Sequence, residues 1–268
     1  MRPNRIFWAV VLIAAGFLFL LNNLGLFDIN LWNFFWPTLL VVLGIWFLVG
    51  SKIETSGYAM EESSIDLGEA ENATIHIKHG AGRMKLDASA EEGKLVSGTF
   101  ANGLNARVKK VDSGLDVVLQ PNKRDFPEMF FPGNWIGGSG LSWDFGLSKE
   151  IPLNLAFETG GAETHLDLTD LQVKDLLLKT GASSTEIKLP SKAGTTYFKV
   201  EAGAASLVIR VPEGVAARVE AEAGLASISV DQDRFPKQGR IYQSEDFETA
   251  PNKVEIRIET GLASIEIC

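Results

Sequence analysis

The sequence predicts a mostly β protein: an N-terminal two-helix transmembrane hairpin followed by a Gly-cornered β-solenoid, or β-helix-like, repeat domain. Three observations carry this. Two long apolar runs open the chain. One pattern then recurs, an alternating strand, a Gly among small residues, and a second alternating strand. The register of apolar residues around each Gly is fixed. The pattern is plainest at Gly181, Gly203 and Gly224, spaced by 22 and 21 residues, and recurs at Gly80, Gly160 and Gly261. Such periodicity marks stacked units that bury one shared face. An ordinary β-sandwich with similar-looking strands is the competing architecture.

The register is testable position by position. Three residues before each Gly stand Ile77, Phe157, Leu178, Val200, Ala221 and Ile258. Five before stand Ile75, Leu155, Leu176, Phe198, Val219 and Ile256. Six after stand Leu86, Leu166, Ile187, Ile209, Val230 and Ile267. Polar residues such as Glu186 and Lys188 lie between. Period two with one apolar face means half-buried strands. The Gly marks a corner where a Cβ would clash or force an unfavourable backbone angle.

In chain order, residues 1–50 form the hairpin. Ile6 to Leu21 carries no charge, and Leu31 to Val49 is interrupted only by Asn33, Pro37 and Thr38 among non-apolar types. Each run approaches the ~20 residues a spanning helix needs. Trp8, Trp32, Trp36 and Trp46 suit membrane interfaces. A secretory signal is the rival, but no small-x-small cleavage site follows Leu21 and a second apolar run comes at once. Arg2, Arg5 and Lys52 flank the pair, while the link between the runs has one Asp and no cation. The positive-inside rule therefore places both termini in the cytoplasm.

Residues 51–66 read as a polar connector, and 67–268 as the repeat domain. Turns are expected at Asn102-Gly103 and at Asp112-Ser113-Gly114. Residues 121–149 interrupt the repeat with Pro, Gly and the aromatics Phe126, Phe130, Phe131, Trp135, Trp143 and Phe145. This insertion reads either as a lid over an open end of the core or as a docking surface. In the second case Phe130, Phe131, Trp135, Trp143 and Phe145 contact a partner or the membrane. Residues 231–246 form a second excursion. The closing strand LASIEIC reads as a free edge for self-association or capping.

Composition excludes several functions. The whole chain carries 25 basic and 34 acidic side chains. Removing Arg2, Arg5 and Asp28 leaves 23 and 33 after residue 50, a net charge of −10. An acidic domain does not suit nucleic acid, whose binding rests on phosphate contacts from Lys and Arg. Cys268 is the only cysteine, so no internal disulfide forms. His76 and His79, three apart on one strand, face opposite ways and cannot share a metal; His165 stands alone. No nucleophile–base set, phosphate-binding loop or metal motif is present. The sequence therefore predicts no catalytic residue, no cofactor and no metal.

The segment WAVVLIAAGFLFLLNNLGLFDINLWNFFWPTLLVVLGIWFLV resembles the paired-helix membrane module of LiaF-like proteins. The helix–NLGL–helix layout carries the likeness, with Trp36, Pro37, Leu39, Leu40 and Gly44. The Gly-cornered repeats resemble the toast-rack, or adhesin-like, β-repeat domain of the same proteins and of cell wall-active antibiotics response proteins. The resemblance implies a bacterial membrane protein tied to envelope stress. It implies a non-enzymatic accessory regulator acting by protein–protein contact, on a two-component sensor kinase. A surface-displayed, adhesin-like structural module is the alternative.

Overall fold

A computed structural model describes residues 36–37, 40–41, 59–122 and 142–268, Leu225 excepted. The chain divides into two units, Met1–Ile53 and Glu54–Cys268. In the first, Trp36, Pro37, Leu40 and Val41 are helical. Among the described residues no helix is long and apolar enough to cross a membrane. The span and orientation expectations otherwise fall on residues outside the described set.

The second unit is built of strands. In chain order they are β1 (Met60–Asp66), β2 (Asn72–Asp87), β3 (Lys94–Ala101), β4 (Leu104–Val111) and β5 (Gly114–Pro121). Then come β6 (Ser142–Leu147), β7 (Pro152–Asp167), β8 (Gln172–Thr180), β9 (Ser184–Lys188) and β10 (Thr195–Arg210). Last are β11 (Ala216–Ala223), β12 (Ser227–Val230), β13 (Lys237–Gln238), β14 (Ile241–Gln243) and β15 (Lys253–Ile267). The expected connector thus already holds strand β1, which pairs antiparallel with β3.

The repeat unit is a rung of two arms joined at the Gly. In β2, β7, β10 and β15 one long strand runs through the corner; β8 with β9, and β11 with β12, form the same rung in two pieces. Rungs pair in parallel and in register, so equivalent residues stand side by side. Burial shows how one strand serves one core on both arms. In β10 the inward residues run Thr196, Phe198, Val200, Ala202, then step by three to Ala205, Leu207, Ile209. A straight strand keeps a step of two. The odd step at the corner turns the second arm so that its apolar side still faces inward. Every residue of the three expected registers is buried except Ala221, which is partly buried against the same core.

The reason for the corner Gly differs from the expectation in one respect. None of the six takes a positive φ. Close stacking restricts the side chain instead, most severely at Gly160. A Cβ on Gly160 would lie 2.4 Å from the Gly80 carbonyl oxygen, and one on Gly181 or Gly203 would lie 3.2 Å from the carbonyl of the next rung's Gly.

Rung order in space departs from rung order in sequence, which a simple progressive solenoid does not allow. The order is β5/β6, β2, β7, β8/β9, β10, β15, β11/β12. β15, last in the chain, slides between β10 and β11/β12. Residues 231–252 supply the length for that return and form a flap. Within it β14 pairs antiparallel with β11, and Phe235 and Phe247 are buried. This corrects the free-edge expectation: the closing strand is hydrogen-bonded on both sides, Ser264 to Ser206 and to Ser227 in register. Self-association through it would require breaking a neighbouring rung.

The first rung takes up the described end of the aromatic insertion. β5 pairs with the first arm of β2, and β6 with the second. The chain between them occupies the sequence position of a corner. Trp143 aligns with Met84 and Phe145 with Leu86, both inward columns. The turns at Asn102 (φ 60) and Asp112 (φ 52) form where expected. Only the second closes a hairpin, β4–β5; the first carries the chain between strands that do not pair.

Candidate binding face on the outer side of the first arms

Positions two, four and six before each corner Gly point outward. In-register parallel pairing turns each position into a row of neighbours about 4.8 Å apart. The row nearest the corner reads Lys78, Glu158, Lys179, Glu201, Glu259 and Glu222 across successive rungs. Lys78 bonds Glu158 at 2.9 Å and Lys179 bonds Glu201 at 2.9 Å. Lys199, from the next row, reaches Glu201 at 2.9 Å and Glu259 at 3.2 Å. Arg257 lies 3.7 Å from Glu222.

Beyond this ladder the face hollows into a groove of about 540 Å³. Ala156 and Leu177 form its partly buried floor, and Tyr197 stands in it with 54% of its surface exposed. Its far wall is Arg218. The Arg218 guanidinium lies 4.1 Å over the Phe247 ring, donates to Gln243 at 2.7 Å, and pairs with Glu248. Asp175, Lys199, Glu255 and Arg257 surround the floor with both signs of charge. An apolar centre inside a polar, charged rim is the composition of a protein docking patch.

The ladder sets local titration. Hydrogen bonds from Lys179 and then Lys199 hold the Glu201 carboxyl below the ordinary glutamate value, and the same contact with Glu201, then Glu259, raises Lys199. On the second arms Arg210 likewise lowers Glu186. Asp167 loses hydration, which raises its value, but donation from Lys188 and Thr169 outweighs that and lowers it. A carboxylate depressed in the fold adds stability above its unfolded value and loses it as pH falls through the folded one. The thermal midpoint should therefore stay level from neutrality to about pH 5, then fall in acid. Because these groups are exposed, salt should shrink the drop. Glu201→Gln should also shrink it; an acid drop unchanged in that variant would dissociate the ladder from pH stability.

The aromatic residues expected to contact a partner separate into two groups. Trp143 and Phe145 are 0% and 2% exposed and belong to the core. Trp143 meets Phe100 edge-on at 5.3 Å and stands 5.0 Å from the His79 ring. Neither offers a surface to a partner, because their strand fills two inward columns of a rung. Phe130, Phe131 and Trp135 lie outside the described residues. His76 is half-buried on the outer face and His79 is buried, on opposite sides as expected. His165 lies 3.7 Å from Glu186 on another arm. No group of three potential metal ligands occurs among the described residues. The Tyr197 groove went unseen in the sequence; comparing the columns four and six before each Gly would have exposed it.

A parallel rack of two-armed rungs with a flap at one end defines a class of β-repeat protein. The chain belongs to the toast-rack family: residues 54–210 match the family described as the N-terminal domain of toast_rack, DUF2154. Residues 6–48 match the LiaI-LiaF-like transmembrane region. It is thus a LiaF-like protein with a toast-rack domain. A crystal structure of a candidate cell adhesion protein from Clostridium sporogenes is similar, with a TM-score of 0.68 and 19% identity. It covers 78% of this chain and 98% of that one, and shows the shared fold. A candidate adhesin from Bacteroides fragilis, at 9% identity, aligns over 80% of this chain and 98% of its own with a TM-score of 0.28. No curated protein matches the chain.

Proposed function

We propose that this chain is a membrane-anchored, non-enzymatic regulator of the cell-envelope stress response that works by holding a protein partner on the outer face of the first arms. The observation that carries this is the Tyr197 groove: an apolar centre with a charged rim, on a scaffold fixed by in-register rungs. The family's transmembrane region supplies the anchor. The partner that the LiaF-like resemblance favours is a membrane sensor kinase. The hairpin crosses twice and both termini lie in the cytoplasm, where such a kinase carries its signalling domains.

Tyr197→Ser combined with Lys199→Glu tests the reading, because both side chains are surface groups outside the core. In cells given a cell-wall antibiotic, an envelope-stress reporter should respond as it does in a deletion strain, with the protein present at normal levels. Output identical to the wild type would count against docking at this face. The same cells report orientation through Cys268: only a membrane-permeant thiol reagent should label it. Ready labelling by an impermeant reagent would place the rack outside and favour the adhesin-like reading.

A further inference from the structure

The charge of the rack is not evenly spread. On the rung strands every Lys and Arg side chain among the described residues is ion-paired or hydrogen-bonded, from Lys78 and Arg83 on β2 to Lys253 and Arg257 on β15. Strand β4 breaks this rule. Among the described residues its Arg107, Lys109 and Lys110 make no ion pair and no side-chain hydrogen bond. Among the described residues β4 pairs only with β5 and no strand lies on its other backbone edge; it is exposed from Ala106 to Val111. Val108 and Val111 are 48% and 52% exposed. The acids near it include Asp116, opposite Lys109 on β5, Asp112 in the turn, Glu71, whose amide donates to the Ser113 carbonyl of that turn, and Glu61 beside Gly103 at the strand's start.

The place of this strand matters as much as its charge. The turn that leads into β4 is tied to the chain's exit from the membrane region: the Asn102 amide donates to the Ala59 carbonyl at 2.9 Å. Between residue 48, where the matched transmembrane region ends, and Met60, the chain reaches at most about 40 Å fully extended. A cationic, partly apolar edge thus follows the matched transmembrane region by a short tether. The rest of the domain, net acidic, is repelled from an anionic surface.

We propose that the β4 edge is a lipid-contact strand, which seats the rack on anionic phospholipid headgroups in one orientation. Seated edge-on, the strand presents Arg107, Lys109 and Val111 from one face and Val108 and Lys110 from the other, so that cations and an apolar side chain flank the edge on both sides. Repulsion of the acidic rungs keeps the Tyr197 face turned away from the lipid. The inference rests on the membrane anchor alone and not on the docking reading. Lysines on an edge strand also serve simply to prevent edge-to-edge pairing, and the experiment separates the two roles.

The full chain, with Cys268→Ser and a fluorophore on Val108→Cys, is reconstituted in phosphatidylcholine vesicles with or without phosphatidylglycerol. A quencher carried on the lipid headgroup reads proximity. Quenching should rise with phosphatidylglycerol and fall with added salt. Neutralising the strand (R107Q, K109Q, K110Q) should lower the ratio of seated to free domain about fivefold per cation. Lys192→Gln and Arg240→Gln, cations elsewhere on the surface, should leave it unchanged. Equal quenching in both lipids, or no loss in the triple variant, overturns the proposal and leaves the lysines as edge guards. Photo-crosslinks from position 108 to a second protein chain, in place of lipid, overturn it as well.

Discussion

Ile209→Asp is expected to unfold the rack. Ile209 sits at 0% exposure on the second arm of β10, in register between Ile187 of β9 and Ile267 of β15. Both neighbours are also fully or nearly fully buried. A carboxylate there has no cation and no donor within the column. It must either stay ionised in an apolar interior or take up a proton and remain poorly satisfied. Either costs on the order of 4 kcal/mol or more, beyond the lost apolar burial. A domain of ordinary stability holds about 5–15 kcal/mol in reserve. The measurement is thermal unfolding of the full chain in detergent, followed by near-ultraviolet circular dichroism. Ile209→Val, which only trims a methyl group, should cost about 1 kcal/mol and keep the cooperative transition. If the Asp variant melted within a few degrees of the Val variant, the rungs would not share one core.

Gly160→Ala is expected to be the most damaging alanine among the corners. The new methyl would meet the Gly80 carbonyl oxygen at 2.4 Å, and that atom is backbone, fixed by the ladder between β2 and β7. Relief requires the two rungs to part locally, at a cost of about 1–3 kcal/mol. Gly181→Ala and Gly203→Ala meet the adjacent carbonyls at 3.2 Å, where a shift of a few tenths of an ångström suffices. Their cost should be clearly smaller. Because none of these glycines uses a positive φ, the ranking follows spacing alone. Urea titrations of the three full-length variants give the order. Equal losses at all three corners would mean that some factor other than rung spacing selects Gly there.

The rung itself was legible in the sequence because its physics is local. Alternation gives the strand, the odd step around a small residue gives the corner, and fixed offsets give the inward columns from Ile75 to Ile267. Two aromatics of the insertion turn inward rather than outward for an equally physical reason. Trp143 and Phe145 alternate as any second arm does, but the chain between β5 and β6 hides the corner that would align them. Large aromatics near Gly and Pro suggest a surface patch until a neighbouring strand shows which side faces in. The Tyr197 groove was illegible because its floor and rim come from separate rungs. No single stretch of chain contains the patch.

Sequence alone determined the Gly-cornered rungs and their inward columns, because period and offset are properties of neighbouring residues. Only the tertiary structure decided the order of the rungs. The insertion of β15 between β10 and β11 depends on which strands complete each other's hydrogen bonds, and every rung presents nearly the same alternating edge. That order buries the closing strand and caps the stack with the 231–252 flap.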